Sequence, residues 1–210
     1  LTVALSNHVT LLLPITEIYF QQDVITQVAS IILMDGIILL SVIAFFLELS
    51  TKKNLNLFAF IKNLFLNPFI LSIIIGLLFL LLNFNIDQTP IEYTLSKLAA
   101  CVSPVGLFAI GIILSFYTKN VINKLSVSIS VLKLVISPII LLFVGLVFFN
   151  AGLPAEIPGA FFVSVAPCGV TSIVLCAAYN VSPENIIKAI FVSTFASIGT
   201  IFFAIKYLTL

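Results

Sequence analysis

Long apolar runs separated by short polar turns dominate the chain, and most approach the ~20 residues that a helix needs to cross a bilayer. Seven can be drawn: 1–20, 24–47, 68–84, 98–117, 125–149, 157–179 and 186–208. Two of them are interrupted. Run 157–179 carries Pro167, Gly169, Thr171 and Ser172 at its middle, and run 1–20 carries Asn7, His8 and Pro14. Proline removes a backbone donor, glycine frees the chain, and in lipid such a break survives only where protein or a water-lined cavity satisfies the freed groups. A helix broken at mid-membrane is therefore a candidate binding site. Between the second and third runs, LNLFAFIKNLFL spaces its Phe and Leu as a short helix lying in the interface. The stretch through Glu92 and Lys97 reads as an amphipathic lead-in to the fourth run.

Composition fixes the solvent. Hydrophobic residues make up 61% of the 210 residues, charged ones 8%, and the mean hydropathy is +1.30. A soluble domain of this size would be coated in apolar patches, so an all-α integral membrane protein is expected. A net charge of +1 and the lack of any arginine speak against a nucleic-acid partner. Cys101, Cys168 and Cys176 lie inside apolar runs without metal-like spacing and read as packing residues. With one histidine, one mid-run aspartate and no nucleophile or metal motif, no catalytic pair is offered, so neither an enzyme nor a cofactor is expected.

Lysine placement gives an orientation. Lys52, Lys53, Lys62, Lys119, Lys124 and Lys188 fall at one set of run ends, and Asp23, Asp87, Glu92 and Glu156 at the other. The positive-inside rule makes the lysine side cytoplasmic and puts the C-terminus outside, in a multi-pass protein of the bacterial inner membrane. The two broken runs lie five crossings apart, so they traverse the membrane in opposite directions, as in an inverted repeat. A shift of 160 positions sets Asn7 on Pro167 and Tyr19 on Tyr179. If the unit is five helices, residues 68–210 hold a complete second repeat, 50–67 a cytoplasmic linker with the interfacial helix, and 1–49 the last two helices of the first. Three helices are then expected before Leu1.

APCGVTSIVLCAAYNVSPENI, SNHVTLLLPI, LNPFILSIIIGL, VSPVGLFAIGIIL and LKLVISPIILL together resemble the auxin efflux carrier family, which includes the plant PIN-type carriers and bacterial organic-acid permeases. Pro167, Gly169, Tyr179, Asn180 and Pro183 fall as in that family's ninth helix, and Asn7 and Pro14 as in its fourth. The resemblance implies ten helices in a 5+5 inverted repeat, of which seven are seen here, with two broken crossover helices forming the substrate site. It also implies secondary transport by alternating access. Ser6 departs from the family at its crossover proline, and Val9 and Leu12 stand where smaller residues are usual.

The chemistry can be argued from the residues. A broken helix restarts with unpaired N–H groups and a partial positive charge, and two such ends make an anion site without arginine. Asn7, Pro14, Pro167, Gly169, Thr171 and Ser172 are the expected substrate-binding residues, and the cargo is a small organic anion such as a dicarboxylate or an auxin-like carboxylate. Asp35 and Lys133 sit where a charge costs on the order of 3 kcal/mol on insertion scales, so each should face protein, water or the other. Lys133 has a stem long enough to snorkel instead. With His8 they are the expected ion-coupling groups for a proton or sodium. The alternatives are a structural role for both charges, a passive histidine and a mere kink at each break. At the level of the whole chain they are a non-transporting fragment or subunit, or a sodium-coupled carrier resembling the bile-acid symporters. Membrane lipid and a second copy in a homodimer complete the expected partners.

Overall fold

The computed structural model describes residues 2–51, 57–117, 120–150 and 154–209. Lys52, Lys53 and Lys119, which entered the orientation argument, lie outside them. Among the described residues the structure is helical, with one isolated β-bridge. We number the helices α1 (8–19), α2 (22–51), α3 (Leu57–Phe65), α4 (Pro68–Leu81), α5 (Pro90–Ser115), α6 (Lys124–Phe149), α7 (Pro158–Ser164), α8 (Thr171–Ala178) and α9 (Glu184–Thr209).

Four helices are long and apolar enough to cross a membrane: 22–50, α5, α6 and α9, of 29, 26, 26 and 26 residues. At 1.5 Å per residue the shortest of these reaches about 39 Å, beyond the ~30 Å hydrocarbon core. The lead-in at Glu92 and Lys97 is continuous with its span rather than separate, because Thr89 caps the helix at Pro90 and nothing between Glu92 and Leu98 stops it. Helix α4 has only 14 residues and ends at a turn where Asn83 takes φ 51°. The apolar exterior agrees with lipid as solvent: Leu80, Leu81, Phe108 and Phe143 are all largely exposed. Helix α3 keeps Phe60 buried against Phe45 at 5.6 Å while Phe58 and Phe65 are exposed, as its interfacial pattern requires.

Three helices are bulged, each by a π turn with i→i+5 hydrogen bonding. The turns are His8–Leu12 in α1, Asp35–Leu39 in α2 and Leu132–Ile136 in α6. Their cause is local. Six residues past the start of each turn stands a residue that spoils the normal i→i−4 bond: Pro14, Ser41 and Pro138. Proline brings no donor and pushes its ring at the carbonyl four residues back, whereas the Ser41 hydroxyl donates to the Ile37 carbonyl and competes for it. The carbonyl freed by Pro14, that of Thr10, accepts from Ser103 Oγ of α5 at 2.6 Å. A Cβ at Gly106 would lie 2.7 Å from Thr10 Cγ2, so α5 seats on this turn only because Gly106 has no side chain.

The main core gathers Leu12, Val28, Phe162, Ala166 and Ile201 from α1, α2, α7, the break after α7, and α9. Phe20 closes it with its ring 4.9 Å from Phe162. Helices α2 and α7 approach closely at Gly159, whose N–H donates to Gln27 Oε1 at 3.0 Å. A Cβ there would sit 2.5 Å from Gln27 Cβ. Gly159→Ala is therefore expected to lower stability by about 1–3 kcal/mol through overpacking, read as a lower unfolding midpoint in detergent. An unchanged midpoint would show that α2 and α7 can move apart here at little cost, since the Gln27 Cβ is fixed to its backbone.

Candidate functional site

Run 157–179 breaks where the sequence places the break, between α7 and α8, whereas run 1–20 has no helix ahead of His8 among the described residues: residues 2–7 are non-helical and lie against the break of the other run. Ser6 pairs with Cys168 in an antiparallel bridge: the Asn7 N–H donates to the Pro167 carbonyl at 2.9 Å, and the Gly169 N–H to the Leu5 carbonyl at 2.7 Å. Two of the backbone amides at the crossing thus find their partners in the other segment. The Cys168 N–H is held by the fully buried Ser193 Oγ at 3.1 Å. Gly169 is required by contact, since a Cβ would lie 2.7 Å from the Ser6 carbonyl oxygen and 2.9 Å from its carbon.

Past the crossing the helices restart, α1 at His8 and α8 at Thr171. Two of the expected donors are already used: the Gly169 amide goes to Leu5 and the Ser172 amide to the Gly169 carbonyl at 3.2 Å. The amides of Val170 and Thr171 lack an acceptor within the chain. His8, Val9 and Thr171, and so both restarts, border one cavity of about 390 Å³, together with Asp35, Gly36, Asn67 and Pro68. Next to it, Asn7 Nδ2, His8 Nδ1 and Ser172 Oγ are buried without a partner. Asn7 is 3% exposed and Ser172 0%, and unpaired polar atoms this deep are characteristic of places where a water or ligand belongs. Asn7 Oδ1 is satisfied by the Thr10 hydroxyl, which presents the amide nitrogen as the free end. Of the six expected binding residues only Thr171 lines the cavity; Asn7, Pro14, Pro167, Gly169 and Ser172 do not, and the contribution of Pro14 is the bulge that starts one residue past Asn7.

Each π turn holds one of the three sequence-selected ionisable residues. His8 Nε2 and Asp35 Oδ2 meet at 3.0 Å at the cavity wall. Lys133 is 3% exposed and donates from Nζ to Ser6 Oγ at 2.6 Å. It neither snorkels nor meets Asp35: the bulge ahead of Pro138 turns it inward, and Ser6, a neutral hydroxyl on the crossing itself, is its only hydrogen-bond partner among the described residues. Sequence reasoning singled out Ser6 only as a departure, and passed over Ser103, Gly106 and Asn67 as site-builders. Their signal was weak, a small or polar residue within an apolar run.

A second cavity of about 510 Å³ continues from the first through Leu40, Asn67 and Leu175, which line both. Gly36, Leu40, Ala44 and Glu48 follow one another at four-residue intervals on α2, and Thr171, Leu175 and Tyr179 on α8, so one groove runs between the two helices. At its far end the Tyr179 hydroxyl lies 3.4 Å from Glu48 Oε2 and donates to the Ala44 carbonyl at 3.2 Å, and Phe60 and Leu64 of α3 cover the opening.

No curated protein and no solved structure matches the chain. The profile of the family described as membrane transport protein matches residues 1–205. With that match running almost end to end over the apolar helices just described, the protein belongs to the membrane transport protein family, that of the auxin efflux carriers.

Proposed function

We propose that the chain carries a small organic anion across the membrane by alternating access, with the cavity at the crossing as its binding site. The observation that carries this reading is that the first residues of α1 and α8 border one cavity, while the unpartnered Asn7 Nδ2 and Ser172 Oγ belong to the chain neighbours of its lining residues His8 and Thr171. Backbone amides at a helix N-terminus and a carboxamide N–H₂ are donors for a carboxylate, and the half-helix dipoles favour its charge. The antiparallel crossing supports the inverted-repeat reading, with Ser6 and Cys168 near its centre. In this reading the lysine-bearing run ends face the cytoplasm of a bacterial cell, the C-terminus faces outward, and the groove from Asp35 to Glu48 is the cytoplasmic way in or out.

The test is uptake of labelled malonate and indole-3-acetate by the full-length protein in proteoliposomes. Asn7→Ala removes the free amide donor and is expected to cut uptake at least tenfold, the worth of about 1.4 kcal/mol in anion binding. Unaltered uptake by this variant would remove Asn7 from the site.

A further inference from the structure

We propose that each monocarboxylate crosses together with one proton held on His8, so that the charges buried at the crossing sum to zero both when the site is empty and when it is loaded. This rests on the anion-carrier reading above and supplies its coupling. His8 and Asp35 meet at 3.0 Å beside the crossing, and Lys133 is tied to the bridge itself through Ser6, whose bridge partner is the thiol-bearing Cys168. The other buried charges stand apart. Lys188 is ion-paired with Glu184 at 2.7 Å, and Glu48 lies thirteen residues, about 20 Å, along α2 from Asp35.

With a neutral imidazole, the Lys133 ammonium and the Asp35 carboxylate cancel. An ionised carboxylate only accepts, so His8 must give its Nε2–H to Asp35, which leaves Nδ1 as a bare acceptor. Nδ1 is the ring atom found buried without a partner. No neighbouring element offers it a charge. The cavity presents Asp35 from α2, Asn67 and Pro68 at the start of α4, and Thr171, Val174 and Leu175 from α8, and among its lining residues only His8 and Asp35 have ionisable side chains. Helix α5 touches α1 through Ser103 and Gly106 at Thr10, and Lys133 and Cys168 adjoin Ser6 on the bridge.

A bound monocarboxylate adds one negative charge, and an uncompensated charge in surroundings of low dielectric is strongly disfavoured. Protonation of Nδ1 restores neutrality, and it converts the unpartnered acceptor into a donor for the carboxylate. The proton comes from solution on the loading side and is released with the anion on the other. Only an N–H bond is made and broken.

The test uses the full chain, purified in detergent, with indole-3-acetate as probe. Calorimetric titration in buffers of different ionisation heat counts the protons taken up per anion bound. About one is expected, with Kd rising as the pH is raised, by up to tenfold per pH unit, the slope that uptake of one proton imposes. His8→Gln keeps a donor for Asp35 but accepts no proton, so its uptake should be zero and its affinity flat with pH. Asp35→Asn leaves Lys133 to balance the anion, so it should bind without proton uptake and without weakening at high pH. In proteoliposomes the wild-type flux should follow an imposed pH gradient and ignore a potential set with valinomycin. Wild-type binding without proton uptake, or flux that follows the potential instead, overturns the coupling while leaving the carrier. Failure of folded wild-type protein to bind either indole-3-acetate or malonate overturns the anion reading itself, and the coupling with it. Should a variant not fold, the wild-type proton count decides alone.

Discussion

Gly169→Ala is expected to abolish anion uptake while leaving membrane insertion intact, and Gly169→Leu to do so more severely. The added Cβ would fall 2.7 Å from the Ser6 oxygen and 2.9 Å from the Ser6 carbon, and backbone cannot swing aside as a side-chain tip can. The two breaks would have to separate. Overpacking of this kind costs about 1–3 kcal/mol, and the two bridge hydrogen bonds add about 1 kcal/mol each if they open. The restarts at His8 and Thr171, which both border the cavity, would then lose their register with each other. Surface expression together with uptake checks this. Normal transport by Gly169→Ala would mean that the crossing is not the carrier's working part.

Opposite effects on stability are expected from the two ends of one hydrogen bond. Ser6→Ala removes the hydroxyl that holds Lys133 Nζ at 2.6 Å and strands a buried ammonium. A buried charged donor left unpaired costs on the order of 3 kcal/mol. Lys133→Met takes the charge away but keeps most of the volume, and such exchanges are often neutral or stabilising. The unfolding midpoint in one detergent should therefore drop for Ser6→Ala and stay level or rise for Lys133→Met, although both should lose transport. A larger drop for Lys133→Met would mean that the ammonium has further partners which Ser6 does not represent.

Much of the fold was legible because the membrane restricts the choices. Apolar run length, proline and glycine at mid-run, and capping at Thr89 and Asn123 all act over a few residues and can be read as they stand. The break at 167–170 and the non-helical stretch ahead of His8 were legible for that reason, and so was the short helix around Phe60. Two of the three bulges are announced by Pro14 and Pro138, whereas nothing in the residues around Asp35–Leu39 announces the third. Lys133 shows the limit. Its distance from the helix start allowed snorkelling, and only the π turn ahead of Pro138 and the position of Ser6 decide that it points inward.

The sequence by itself determined that the chain lives in lipid, where two apolar runs are interrupted, and which charges must find shelter there, since each of these follows from burial costs and local backbone chemistry. The tertiary structure alone decided who shelters whom. That Asn7 bonds Pro167, that His8 meets Asp35 across 27 positions and that Lys133 reaches Ser6 across 127 depend on how separate helices are brought together. No local propensity encodes such distances, because many pairings would satisfy the same polar atoms equally well in isolation. Packing at Gly106, Gly159 and Gly169, where only a missing Cβ permits the approach, selects the one arrangement in which they coexist.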